Sequence, residues 1–179
     1  MTVVAIVFSC LLYLLSIVML PIRQLASPCC SFLGLLIMSM AKTSEGYQLL
    51  PINNSIIFGW LCITVVVSIS ILIQTPAMRN SSKGIWYMTG GAFAGLAIGL
   101  LGFSIASQLG LLYAIMIIAI AAGTFFGFLL YVKTPDGRKI SPNSGFFFRY
   151  LLAKGFPTAI TVMQIGVVLL LVVAIHNLT

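Results

Sequence analysis

The chain is predicted to be all-α: a polytopic membrane protein with six transmembrane helices, or five if residues 25–41 form a re-entrant element. Three observations carry that prediction. The 179 residues are 61% hydrophobic and 6% charged, with a mean hydropathy of +1.19. A soluble domain carries about 25% charged residues, so this chain lacks the polar surface to face water on all sides. Its apolar residues fall into runs of membrane length, about 17–25 residues for a helix crossing a hydrocarbon core of ~30 Å. The basic residues lie in the stretches between those runs. Residues 1–179 are therefore read as a single integral-membrane helical domain.

Span 1 covers Val3–Leu20 and stops at Pro21. No basic residue precedes Arg23, so the charged start of a signal peptide is missing and the run is read as a retained helix. Span 2 covers Leu25–Ala41, the shortest, with Pro28 in its first turn. Span 3 runs from Ser55 to Thr75 before Pro76, span 4 from Gly84 to Ser107, and span 5 from Gly110 to Val132. Span 6 runs from Gly155 to Ile175, with Pro157 near its start, where proline is tolerated.

Orientation follows from the positive-inside rule. Arg23, Arg79, Lys83, Lys133, Arg138, Lys139, Arg149 and Lys154 lie in three linkers that share a side, and only Lys42 lies opposite. The 133–154 loop is thus expected in the cytoplasm and the C-terminus on the outer side. A bacterial inner membrane is expected rather than an organelle. The net charge of +7 belongs to these span edges. No basic patch lies elsewhere, so nucleic acid is not an expected partner.

The 133–154 loop opens with Pro135-Asp136-Gly137, a tight-turn sequence. The following FFFRYLLAK predicts an interfacial helix over 146–154, its aromatics in the headgroup boundary and its cations toward anionic lipid. Arg149, Lys154, Arg138 and Lys139 are candidates for contacting a lipid headgroup or a partner; the alternative is a plain topology signal.

The chemistry is as informative for what it omits. Glu45 and Asp136 are the only carboxylates, and neither lies in a span, so no proton or sodium relay of the usual kind is available. The single His176 cannot build a metal or haem site. Cys10, Cys29, Cys30 and Cys62 lack the spacing of zinc or redox motifs. No nucleophile elbow, phosphate loop or dinucleotide fingerprint occurs. No catalytic residue, metal or cofactor is assigned, and an enzyme acting alone is not expected.

Inside the spans the polar groups are hydroxyls and amides. Thr158, Thr161 and Gln164 recur on one face of span 6, with Gln164 near mid-bilayer. Thr64 and Ser68 share a face of span 3, and Ser9, Tyr13 and Ser16 a face of span 1. Such groups either bond one helix to another, at about 0.6 kcal/mol each, or line a path for a solute. Thr158, Thr161, Gln164, Thr64 and Ser68 are the candidate path.

The stretch MTGGAFAGLAIGLLG places Gly91, Gly95, Gly99 and Gly102 within about 80° of a helical wheel, and Gly84 falls on the same stripe. Span 5 carries a matching series, Ala119, Gly123 and Gly127, across a two-residue connection. Three occupants fit such a face: the neighbouring span, another protomer or subunit, or a flat lipid-like ligand. From Gly90 through FRYLLAKGFPTA, about half the chain resembles small glycine-rich fatty-acid-export membrane proteins, through glycine spacing and one Arg-aromatic…Lys…Pro string.

Two functions fit these residues. One is transport or permeation of a neutral or amphipathic solute without a buried ion-coupling carboxylate. The other is a non-catalytic structural or accessory subunit of a larger membrane complex. Expected partners are membrane lipids and either a second copy of the chain or other membrane subunits.

Overall fold

The computed structural model describes residues 2–22, 24–42, 48, 52–75, 83–101, 109–140 and 145–178. Over these the chain is all-α. The helices are α1 (Thr2–Ile22), α2 (Ala26–Met40), α3 (Asn54–Leu72), α4 (Ile85–Leu101), α5 (Leu109–Lys133), a short α6 (Gly145–Tyr150) and α7 (Phe156–Leu178). A single bridge between Lys42 and Gln48 is the only extended pairing among the described residues. Four helical segments are long and apolar enough to cross a membrane: Val3–Ile22, Asn54–Leu72, Gly110–Lys133 and Gly145–Ala174. Two shorter apolar helices, Ala26–Met40 and Ile85–Leu101, complete the set. The chain is a multi-pass integral membrane protein.

Local sequence explains the helix ends. Asn53 caps α3, its side-chain oxygen accepting from Ser55 N at 3.2 Å. α1 does not stop at Pro21 but continues through it to Ile22. A proline that close to the end removes one hydrogen bond and leaves little helix beyond to disturb. Gly84 is not part of the α4 stripe. It precedes the helix with φ of +78°, and its backbone sits against the ring of Tyr131. Glycine alone adopts that conformation without strain. Of the predicted span 4, positions 102–107 lie outside the described residues, Gly102 among them.

Contacts between named residues fix the directions of the helices. Ser27 reaches Ser16 while Gly34 lies against Tyr13, so α1 and α2 are antiparallel. Cys29 pairs with Ser68 while Ser31 and Thr64 both meet Gln164, so α2 and α3 are antiparallel. Gly91 faces Gly123 and Gly99 faces Met116, so α4 and α5 are antiparallel as well. α7 runs parallel to α2 (Ser27 to Thr161, Ser31 to Gln164) and to α4 (Gly155 beside Met88, Gly166 beside Leu96). The long elements therefore alternate in direction along the chain.

α7 is the axis of the bundle. It touches α1, α2, α3, α4 and α5, and every residue from 157 to 168 is buried, whereas α1 and α3 are largely exposed. The main core joins Leu35, Val67, Leu96, Met116 and Ile120 to Val162, Val167 and Leu170. The outer faces of α1 and α3 expose Leu11, Leu14, Val18, Val66 and Ile69. Apolar surface facing outward is what a lipid solvent requires.

The interfacial helix expected over 146–154 is not a separate element. Gly145–Tyr150 passes directly into a π turn, Leu151–Gly155, and then into α7. The π turn precedes Pro157, which cannot donate to the preceding turn and crowds the carbonyl four residues back. Widening the helix there relieves that conflict. The aromatics also divide. Phe147 and Tyr150 are buried with Met88, Phe128 and Tyr131, while Phe146 and Phe148 are exposed. Tyr150 stacks on Phe128 and on Tyr131, each at 5.8 Å between ring centroids. Its hydroxyl donates to the Lys83 carbonyl.

Candidate functional site

The buried polar groups concentrate around α7. Thr158, Thr161 and Gln164 share one face of it, and all three are fully buried. The face exists because threonine, threonine and glutamine recur every three residues in an otherwise apolar helix. Gln164 sits between two helices. Its Nε2 donates to Thr64 Oγ1 on α3 at 2.8 Å, and its Oε1 accepts from Ser31 Oγ on α2. Thr161 Oγ1 lies 3.0 Å from Ser27 Oγ, which itself donates to the Ser16 carbonyl of α1 at 2.8 Å. Thr158 turns back to the Lys154 carbonyl at 2.8 Å.

Three of the five proposed path residues, Gln164, Thr64 and Ser68, thus join one hydrogen-bonded chain, and Thr161 pairs with Ser27 one turn away. Thr64, the partner of Gln164, also bonds the Trp60 carbonyl, and Ser68 bonds the Thr64 carbonyl and meets Cys29 Sγ at 3.6 Å. Thr158 stands one turn away and bonds only its own helix. Four helices are tied at this level by side-chain hydrogen bonds. The groups are packed, and the cavities at the surface of the bundle are lined by other residues. One of about 490 Å³ lies between α2 and α3 beside Lys42, Gln48 and Asn54, and one of about 740 Å³ lies between α1 and the end of α2, beside Phe8, Met40 and Lys42.

The glycine series lies where α4 crosses α5. A Cβ on Gly91 would strike the Gly123 carbonyl oxygen, one on Gly95 the Ala119 carbonyl oxygen, and one on Gly127 the Tyr87 carbonyl oxygen. A Cβ on Gly99 would lie 2.8 Å from Met116 Cα. The stripe is occupied from within the chain by backbone. Gly90, off the stripe, has open space where a Cβ would be.

The four cations proposed for headgroup or partner contact do not behave alike. Arg138 and Arg149 are exposed. The Lys139 side chain lies outside the described residues. Lys154 corrects the expectation: it is fully buried, inside the π turn. The π turn shifts its phase, so it points into the bundle and not along the surface with Arg149. Between the same loops, Lys83 and Asp136 stand 3.6 Å apart, both exposed. This joins the start of α4 to the turn after α5 at one end of the molecule.

Several polar residues were not singled out from sequence. Ser27 and Ser31 repeat at i, i+4 on α2, a signal present in the sequence but hidden inside the span read as weakest. Gln24 and Thr89 are buried, and neither the Gln24 amide nor the Thr89 hydroxyl has a hydrogen-bond partner. Nothing local marks these two, because their burial depends on packing between helices. Among the described residues no group of histidine, cysteine, aspartate and glutamate side chains is arranged to hold a metal. Comparison of the chain with protein-family models, curated proteins and solved structures finds no match.

Proposed function

We propose that this chain is a small membrane carrier for a neutral or amphipathic solute, held here in a closed state. The observation that supports the reading is the hydrogen-bonded knot of Ser27, Ser31, Thr64, Thr161 and Gln164 around the central helix. An amide at the centre of a membrane bundle is costly unless partnered. Its present partners sit on two different helices; a solute hydroxyl or amide can replace either one, and an ether can replace Thr64 as acceptor. Parting α2 from α3 would then open the path at Gln164 without any carboxylate. In this reading the 133–154 loop and the basic linkers lie in the cytoplasm, all six helices cross, and the membrane is a bacterial inner one.

The test is flux. The purified chain is reconstituted into liposomes and offered fluorescent amphipathic and small neutral probes. Probe movement above that of empty liposomes, reduced by Gln164→Leu, supports the carrier. No flux of any probe, with a stoichiometric unrelated chain retained through gentle extraction, overturns it in favour of the accessory-subunit reading. One observation favours that second reading: Gln164 has both ends of its amide satisfied within the chain, as in a bundle built only to hold its shape.

A further inference from the structure

Beyond the Gln164 knot, α2 and α3 leave a crevice between them. Their side-chain ties lie at its inner end: Cys29 to Ser68, and Ser31 and Thr64 to the two ends of the Gln164 amide. From that level the two antiparallel helices run side by side for about 14 Å, to Met40 on α2 and Asn54 on α3. The 490 Å³ cavity occupies this stretch. Phe32, next to Ser31, and Leu61, one turn before Thr64, line it nearest the knot. Because α2 runs parallel to α7 and α7 to α4, the far end of the crevice lies away from Lys83 and Asp136.

The lining is divided along its length. The floor is apolar, with Phe32 and Ile52 buried. The open side is apolar too: Met40, Phe58 and Leu61 are 72%, 65% and 41% exposed, on the surface that lipid surrounds. Polar groups enter only toward the far end. Ser39 returns its hydroxyl to the Leu36 carbonyl at 2.7 Å, and Lys42 has an interaction of its own within the chain. The groups offered to a ligand are therefore the amides of Gln48 and Asn54, both on exposed residues. A carboxamide both donates and accepts, which suits hydroxyls.

Size narrows the occupant further. Small-molecule sites run to about 300–1,000 Å³. At roughly 30 Å³ for a group the size of a water molecule, the cavity holds roughly sixteen such groups. That is one medium acyl chain with a small head, not the two chains of a bilayer phospholipid.

We propose that the α2–α3 crevice binds a neutral single-chain amphiphile of the monoacylglycerol type, taken sideways from the membrane. The chain lies along Phe32, Leu36, Ile57 and Leu61, and the head hydroxyls meet Gln48 and Asn54. The 740 Å³ cavity on the other flank of α2, beside Val4 and Phe8, has no amide in its lining, so the head group selects the α3 side. The crevice rests on its own lining and not on the carrier reading; on that reading it is where solute waits before the knot parts.

The experiment maps binding on the full chain in phosphatidylcholine nanodiscs. The probe is monodecanoylglycerol with a diazirine in its chain, and labelled residues are found by mass spectrometry. Label is expected on Leu36, Ile57 and Leu61. Unlabelled monodecanoylglycerol should displace it about tenfold better than methyl decanoate, which has the same chain without the hydroxyls. Replacing both amides, Gln48→Ala with Asn54→Ala, should erase that difference. Leu61→Trp fills the crevice from a lipid-facing position and should cut labelling severalfold, whereas Val66→Trp, on the exposed face of α3, should not. Label spread over the outer faces of α1 and α3 without displacement overturns the proposal. So does label gathered at Val4 and Phe8, or equal displacement by the two competitors. Labelling is read without transport, so a failure here and a failure of the flux test are separate results.

Discussion

Gln164 is the residue on which the sequence said most and the structure added most. Its place on a polar face of the last span follows from spacing within one segment. Its partners do not: Ser31 and Thr64 are 133 and 100 residues away along the chain, and no local pattern selects them. Replacing Gln164 by leucine leaves Thr64 its bond to the Trp60 carbonyl and Ser31 its bond to the Pro28 carbonyl. The loss of fold stability is therefore expected to be small, about 1 kcal/mol, as measured by reversible unfolding in mixed micelles. A loss several times larger would mean that the knot holds the bundle together rather than trimming it. Lys154 teaches the opposite lesson. Its identity and spacing read as a surface cation because a regular helix was assumed, and one widened turn changed the direction of its side chain.

At the scale of elements, the α4–α5 crossing was the most legible feature. Two small-residue series at matching depth, joined by a short connection, meet backbone to backbone as their spacing allows. Gly95→Leu is expected to abolish folding of the chain, since the obstacle is the Ala119 carbonyl and not a movable side chain. Folded monomer lacking only a partner would place the occupant of that face elsewhere. Gly90→Ala makes the contrasting case. Its Cβ enters open space, and alanine is preferred over glycine inside a helix by about 1 kcal/mol. A slightly higher thermal midpoint is expected, and a lower one would show that Gly90 is also in contact. Gly84→Ala should destabilise, because the left-handed conformation and the Tyr131 ring both exclude a side chain. The limit of legibility was the segment 145–155. The aromatic residues were visible, but their division between bundle and exterior depends on docking against Phe128 and Tyr131.

For the whole molecule, alternation of helix direction and the joining of Lys83 to Asp136 place the α3–α4 and α5–α6 connections at one end. In the orientation proposed from the charge asymmetry, that end faces the cytoplasm. A single cysteine at Arg138, in a background with the native cysteines replaced, is expected to react with an impermeant maleimide in inside-out vesicles and to be protected in intact cells. Reaction in intact cells would reverse the orientation.

The π turn has a consequence for register. A helix advances about 100° per residue, so the two sides of that turn behave like two wheels keyed to one shaft with an adjustable offset. The offset sets Phe147 and Tyr150 against α5 while Thr161 and Gln164 face α2 and α3. Deleting the exposed Leu152 would leave every contacting side chain present yet turn one wheel against the other. Either the aromatic clasp or the polar knot would have to let go.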